Sequence, residues 1–151
     1  MKKSKYFQLT ELVCPHVYKR HGEIAWMFID EKLIDTLDLL KEKIFPGKKI
    51  VINNWNAGGA YSESGCRCIL CSIVKGKAKD GIAYMSAHVL GKGVDMRVEG
   101  ITAPEARKEI DRNQILLPYP IRLENDQSAP TWVHLDVYDM GNGKKINYFT
   151  A

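Results

Sequence analysis

Two short stretches of the chain carry residue types that can bind a metal ion and do acid–base work. The first is Ser86-Ala87-His88-Val89-Leu90-Gly91-Lys92-Gly93-Val94-Asp95; the second is Trp132-Val133-His134-Leu135-Asp136-Val137. In the second, Val133, Leu135 and Val137 alternate onto one side of an extended chain, which sends Trp132, His134 and Asp136 to the other. In the first, Val94, Met96 and Val98 are expected to face a core, leaving Asp95 and Arg97 on the polar side of the same strand. His88 sits in a glycine-containing turn that leads into that strand. Two imidazoles and one carboxylate are a suitable protein ligand set for an open tetrahedral zinc centre, with water in the fourth position. Gly91 and Gly93 let the backbone turn back so that both side chains reach one point. A lone histidine is more often a hydrogen-bonded surface or core residue, and the second histidine on an alternating strand is what favours the metal.

The elements that must position these residues are legible in outline. Leu33, Leu37, Leu40 and Ile44 form one apolar stripe, widened by Ile34, which predicts a helix over 30–45 capped by Asp30 and stopped by Pro46-Gly47. A short helix is expected from Thr10, followed by a polar stretch through Gly22. Residues 49–53 read as a β-branched strand, and 53–81, rich in Gly, Ser, Asn and Lys, as a long functional loop. Thr102-Ala103-Pro104-Glu105 is a capping box that starts a helix ending near Arg112. Two strand candidates, 121–124 and 132–138, are expected to form an antiparallel hairpin with Arg122 roughly opposite His134. Residues 145–149 make a last short strand. Helices and strands do not alternate as βαβ units, so the expectation is an α+β fold: a small antiparallel sheet with flanking helices, in a single domain spanning 1–151.

Composition narrows the function classes. The 151 residues are 45% hydrophobic and 26% charged, ordinary proportions for one globular domain. No apolar run approaches the ~20 residues that cross a bilayer. The basic start, Met1 to Gln8, has no apolar segment behind it, so a soluble monomer that is cytoplasmic as synthesised is expected. The net charge of +4 is scattered, with small clusters at Lys2/Lys3/Lys5 and Lys75/Lys77/Lys79 that read as solvated surface rather than a nucleic-acid footprint. Four cysteines, Cys14, Cys66, Cys68 and Cys71, are expected as reduced thiols. Cys66-x-Cys68-x-x-Cys71, joined by Cys14 or His16, has the donor types of a second, structural zinc site, although a paired C-x-x-C partner is missing.

The pattern Ser86-x-His88-x-x-Gly91-x-Gly93-x-Asp95, followed by Trp132-Val133-His134, resembles the zinc D-alanyl-D-alanine carboxypeptidase family. That family includes phage and bacterial cell-wall peptidases and shares its fold with the Hedgehog signalling domain. The resemblance implies that His88, Asp95 and His134 bind Zn2+, and that the substrate is an amide bond in a peptidoglycan stem peptide, cut by a D,D-carboxypeptidase or endopeptidase. With the small size and the lack of a signal or wall-binding repeat, the expectation is a phage-derived lysis enzyme that reaches the cell wall through lysis, or a cytoplasmic or phage-structure-associated peptidase.

Two departures from the family pattern stand out. The family's Glu or Asp three residues before the second histidine is Thr131 here, which cannot take a proton from water. Glu124 and Asp136 are therefore the candidate general bases. Glu124 is preferred because it can lie across the strand from the ligand, whereas Asp136 is also placed to orient His134 or an arginine. The family's arginine after the first strand is replaced by Asn53-Asn54-Trp55-Asn56, which makes Arg67 the candidate clamp for a substrate carboxylate. Trp55 and Trp132 are expected to wall the cleft. A non-catalytic zinc-binding interaction module of the same fold is the alternative, and a nucleic-acid binder built on the cysteines and basic loop a distant third.

Overall fold

Asp30 accepts a hydrogen bond from the Lys32 backbone N–H at 2.9 Å and so caps the longest predicted helix. In the computed structural model, which describes residues 1–79 and 81–151, that helix comes in two parts: α3 (Glu31–Leu39) and a π turn, Leu40–Ile44. The stripe Leu33, Ile34, Leu37, Leu40 is buried as the spacing requires. Ahead of it lie α1 (Leu9–Leu12), α2 (Pro15–His21) and a 3-10 segment, Gly22–Phe28. The stretch expected to be merely polar is thus largely helical. Pro15 opens α2 at the position where its missing N–H costs nothing, and Val17, Ala25 and Trp26 are buried on spacings too short to show a period.

The strand expected over 49–53 is regular only at β1 (Ile50–Val51), and the following loop contains, among its described residues, a 3-10 turn, Trp55–Ala57, and a short helix, α4 (Ser72–Lys77). Asp80, inside the expected loop 53–81, lies outside the described residues. β2 (Gly93–Val98), α5 (Ala103–Arg112), β3 (Ile121–Glu124), β4 (Val133–Asp136) and β5 (Ile146–Phe149) complete the chain. The capping box of α5 is present, with the Thr102 hydroxyl accepting from the Glu105 N–H and Glu105 accepting from the Thr102 N–H.

The fold is α+β, with the five strands in the order β1-β2-β4-β3-β5. The sheet is mixed rather than purely antiparallel, because β3 and β5 run parallel. The reason is positional. β4 is central, with both hydrogen-bonding edges taken by β2 and β3, so the chain leaving it cannot pair beside β4 and is added at the free edge of β3. A chain that reverses after β4 and lands beyond β3 arrives parallel to β3. Register differs from expectation as well: Arg122 pairs with Asp136 and Leu123 with Leu135, so Arg122 does not face His134. Continuing that register one step sets Glu124 opposite His134.

One side of the sheet is core. Val94, Met96, Val98, Leu123, Val133 and Leu135 pack with the α3 stripe and with Ala106 and Ile110 of α5. The other side carries Asp95, Arg97, Arg122, Glu124, His134 and Asp136, and the long β1–β2 connection runs across it. The Asp95 N–H donates to the Ser64 carbonyl (2.7 Å), and the Arg67 N–H to the His88 carbonyl (3.1 Å). Gly91 is required where that connection turns into β2. Its φ is +65°, and a Cβ there would lie 1.8 Å from the Phe28 carbonyl oxygen. Arg107 on α5, only 3% exposed, ties down the β3–β4 turn by donating to the carbonyls of Glu124, Ala129 and Trp132 and to Asp126. No helix of the described residues is long and apolar enough to cross a membrane.

Candidate metal centre

The three side chains singled out by the sequence meet. β2 and β4 pair so that Asp95 lies directly opposite His134, and the turn before β2 brings His88 onto the same point. His88 Nε2 is 3.2 Å from His134 Nδ1 and 3.3 Å from Asp95 Oδ1, and His134 Nδ1 is 2.8 Å from Asp95 Oδ1. Tetrahedral zinc with ligand bonds of about 2.0–2.1 Å separates its ligand atoms by roughly 3.3 Å, so this triangle is of the size that one such ion spans.

Each of the three is oriented from behind. His88 Nδ1–H donates to the Gly65 carbonyl (2.9 Å), which leaves Nε2 as the lone-pair nitrogen facing the other two. His134 turns Nδ1 toward Asp95 and Nε2 toward Asp136 Oδ2 (3.2 Å). Asp95 offers Oδ1 to the imidazoles while Oδ2 accepts from Arg67 Nη2 (2.8 Å). A carbonyl behind one histidine, a carboxylate behind the other and a guanidinium behind the aspartate are the outer partners that fix metal ligands.

The electrostatics agree with a site built for a cation. Burial lowers the pKa of His88 and keeps that ring neutral. Burial works against charging His134 too, but hydrogen bonds to Asp136 and Asp95 outweigh it and raise that imidazole to about 9. For Asp95, burial would raise the pKa, yet the bonds from His134 and His88 hold the carboxyl far below the usual carboxylate range. Without a metal, a proton on His134 occupies the charge position between the two carboxylates.

Asp136 is fully buried and its oxygens are committed. It accepts two hydrogen bonds from Arg122 (2.9 and 2.8 Å), one from His134 and one from the Tyr138 N–H (3.2 Å). These bonds put Asp136 behind His134, where it orients that ring. Arg122 is itself held between aromatic rings, 4.8 Å from the centroid of Tyr138 and 4.5 Å from that of Phe149. Glu124 is different: 8% exposed, its carboxylate makes no hydrogen bond or ion pair with the described residues, and it lines the same cavity as the three candidate ligands. Thr131 is exposed at the turn.

That cavity holds about 410 Å³ and adjoins a second of about 370 Å³, the two sharing Arg67, Ile73, Asp95 and Trp132. Trp132 lines both cavities. Trp55 lines neither cavity. Its indole N–H donates to the Val13 carbonyl (3.1 Å) and its ring packs 6.0 Å from Tyr18, on the N-terminal helices. Arg67 lines both cavities but spends Nη2 on Asp95 and Nε on the Glu63 carbonyl. Tyr138, two residues beyond Asp136, and Phe149, at the end of β5, contribute to the cleft and to holding Arg122; Phe149 carries no local sequence signal, because its position follows from the parallel docking of β5.

A second group of side chains could also hold a metal ion: Cys14, His16, Cys68 and Cys71, with their donor atoms all within 4.8 Å of one another. It takes both Cys14 and His16 and leaves out Cys66. That thiol is buried in the core, where burial pushes its pKa up to about 12.

Comparison of the chain with models of known families, with curated proteins and with solved structures finds no match.

Proposed function

We propose that the chain is a zinc-dependent peptidase, of the Hedgehog/DD-peptidase kind of fold, that hydrolyses an amide bond in peptidoglycan stem peptides. The observation that carries this reading is the triangle of His88 Nε2, His134 Nδ1 and Asp95 Oδ1, each oriented from behind and together lining an open cavity. The substrate class comes from the resemblance of the His88-to-Asp95 and Trp132-Val133-His134 motifs to cell-wall peptidases. Zn2+ held by these three would supply Lewis-acid chemistry, acidifying water toward a pKa of ~7 and polarising the amide carbonyl. Glu124 accepts a proton from water and delivers it to the leaving amine nitrogen, a role open to a cavity-lining carboxylate with no other partner among the described residues. Asp136 keeps His134 in the tautomer that presents Nδ1, and Arg122 keeps Asp136 ionised. Arg67 holds Asp95, and its Nη1, without a partner among the described residues, is left for a substrate carboxylate. Trp132 walls the cleft against the peptide.

The second reading, a zinc-binding module without catalysis, draws on Thr131 standing exposed where a carboxylate base would be. Incubating the zinc-loaded chain with purified peptidoglycan of several wall types, and measuring released amino groups, separates the two. The peptidase reading expects cleavage by the wild type, and a fall in kcat of about 10²–10⁴-fold in Glu124→Gln with metal content unchanged. Bound zinc with no cleavage of any wall type would sink it in favour of the module.

A further inference from the structure

We propose that Cys14, His16, Cys68 and Cys71 form a second, structural zinc site that fastens the N-terminal helices to the loop carrying Arg67. This does not depend on the hydrolytic reading, since it shares no ligand with the His88–Asp95–His134 centre.

The donor set is three thiols and one imidazole, a composition and number typical of closed structural zinc. Its donor atoms lie within 4.8 Å of one another, with Cys71 Sγ 3.9 Å from His16 Nδ1. Zinc bonds of about 2.3 Å to sulfur and 2.0–2.1 Å to nitrogen put such a pair roughly 3.6 Å apart. All four cysteines of the chain are free thiols, so no disulfide accounts for the convergence. The turn between Cys68 and Cys71 is shaped for thiolates. The Cys71 N–H donates to the Cys68 carbonyl (3.0 Å), the Leu70 N–H points at Cys68 Sγ and the Cys68 N–H at Cys71 Sγ, each at 3.4 Å. Backbone N–H groups aimed at sulfur stabilise the negative charge that zinc requires of its cysteines. Cys14 and Cys71 are buried, whereas His16 is exposed and Cys68 partly so, which gives the ion a route in.

What the site would fasten explains why the fold places it there. The connection from β1 to β2 is long and carries only short helical pieces, so its conformational entropy is large. Its first part is clipped to the N-terminal segment by the Cys14 N–H on the Cys66 carbonyl (3.0 Å) and the Cys66 N–H on the Leu12 carbonyl (2.7 Å). The four donors continue that clip. Arg67, lying between Cys66 and Cys68, then reaches Asp95, while Gly65 reaches His88. A cross-link between the segments at 14–16 and 68–71 therefore holds the outer partners of two residues of the other centre.

The test uses the full chain. Cobalt(II) exchanged into the wild type should give a sulfur-to-cobalt charge-transfer band in the near ultraviolet together with tetrahedral visible bands. The charge-transfer band should keep its wild-type intensity in His134→Gln and in Cys66→Ser and fall by at least about a third in Cys71→Ser, which removes one of three thiolates. Titrating folded, zinc-loaded wild type with a mercurial should release one equivalent of zinc to a chromophoric chelator, and the same amount from His134→Gln. That reading needs no cysteine variant to fold. Absence of the band in the wild type, mercurial titration that releases no zinc, or a Cys14–Cys71 disulfide in protein purified without oxidant would overturn the site. A fall of the band in Cys66→Ser with wild-type intensity in Cys71→Ser would overturn its ligand set.

Discussion

The two donor clusters share only the imidazole as a donor type and are built on opposite principles. Asp95 and His134 hang on the sheet, where strand pairing fixes one against the other, His88 joins them from the turn before β2, and the three face a cavity. Cys14, His16, Cys68 and Cys71 sit at helix starts and a loop turn, brought together by a bridge between extended segments, Val13 with Cys66. The first has three donors and leaves a position for chemistry, and each donor has its own orienting partner. The second has four donors and leaves none. On the readings proposed above, the cluster that would hold a reacting molecule is carried largely by paired strands, and the cluster that would act as a cross-link sits on a long connection with little regular structure.

The sharpest way to break that contrast is to remove one strand-borne donor. His134→Gln keeps the size of the side chain but takes away the imidazole nitrogen between Asp95 and His88. Hydrolysis of peptidoglycan should fall by at least about a thousandfold, since Lewis-acid assistance is worth several kcal/mol. Bound metal, read by elemental analysis, should drop by one equivalent and not to zero. Loss of all metal would mean that the clusters are not separate. Unchanged metal with lost activity would mean that His134 acts without coordinating.

How much of this was legible in the sequence follows from how local each signal is. The alternation in Val133-His134-Leu135-Asp136 and in Val94-Asp95-Met96 has period two and needs no partner, so it places His134 and Asp95 on the polar side correctly. Register across strands is not local. The β3–β4 connection is irregular and is closed by Arg107 from α5, which no spacing within the hairpin reveals, so Arg122 is expected opposite His134 and is found opposite Asp136. The parallel entry of β5 is hidden for a related reason, since it depends on β4 having both edges occupied. The cysteine spacing shows Cys68 and Cys71 as a pair, but the choice of Cys14 and His16 over Cys66 is made by where tertiary packing sets each donor atom, since Cys14 and Cys71 are buried as deeply as Cys66. Glu124 is reachable from sequence because Thr131 cannot act, and the structure adds that its carboxylate faces the cleft with no partner among the described residues.

A smaller effect sharpens the view that the sheet-borne centre is tuned from behind. Asp136→Asn removes the charge that holds His134 Nε2–H and balances Arg122, leaving the three donors themselves untouched. Zinc affinity at this centre should weaken by about 10–100-fold, read by competition with a chelator, while the mercurial-released equivalent stays the same. If instead turnover collapses at saturating zinc, with affinity unchanged, Asp136 and not Glu124 would be the proton acceptor.

The smallest effect separates the two tryptophans expected in the cleft. Trp55 donates to the Val13 carbonyl, which also accepts from Asn53 Nδ2 at 3.1 Å, and Val13 is the residue before Cys14. Trp55→Phe keeps an aromatic ring beside Tyr18 but drops that bond, a loss of about 1 kcal/mol in stability measured by denaturant unfolding. Because the carbonyl retains its Asn53 partner, no buried acceptor is orphaned and the cost stays small. The disturbance falls on the segment bearing Cys14 and His16, so chelator capture of the cysteine-held metal should quicken while kcat and KM for peptidoglycan stay at wild-type values. Trp132, which lines both cavities, sets the opposite expectation: shortening it should raise KM and leave the cysteine-held metal alone. A rise in KM from Trp55→Phe would place that ring in the substrate path and dissolve the division between a working cleft and a separately fastened N-terminus.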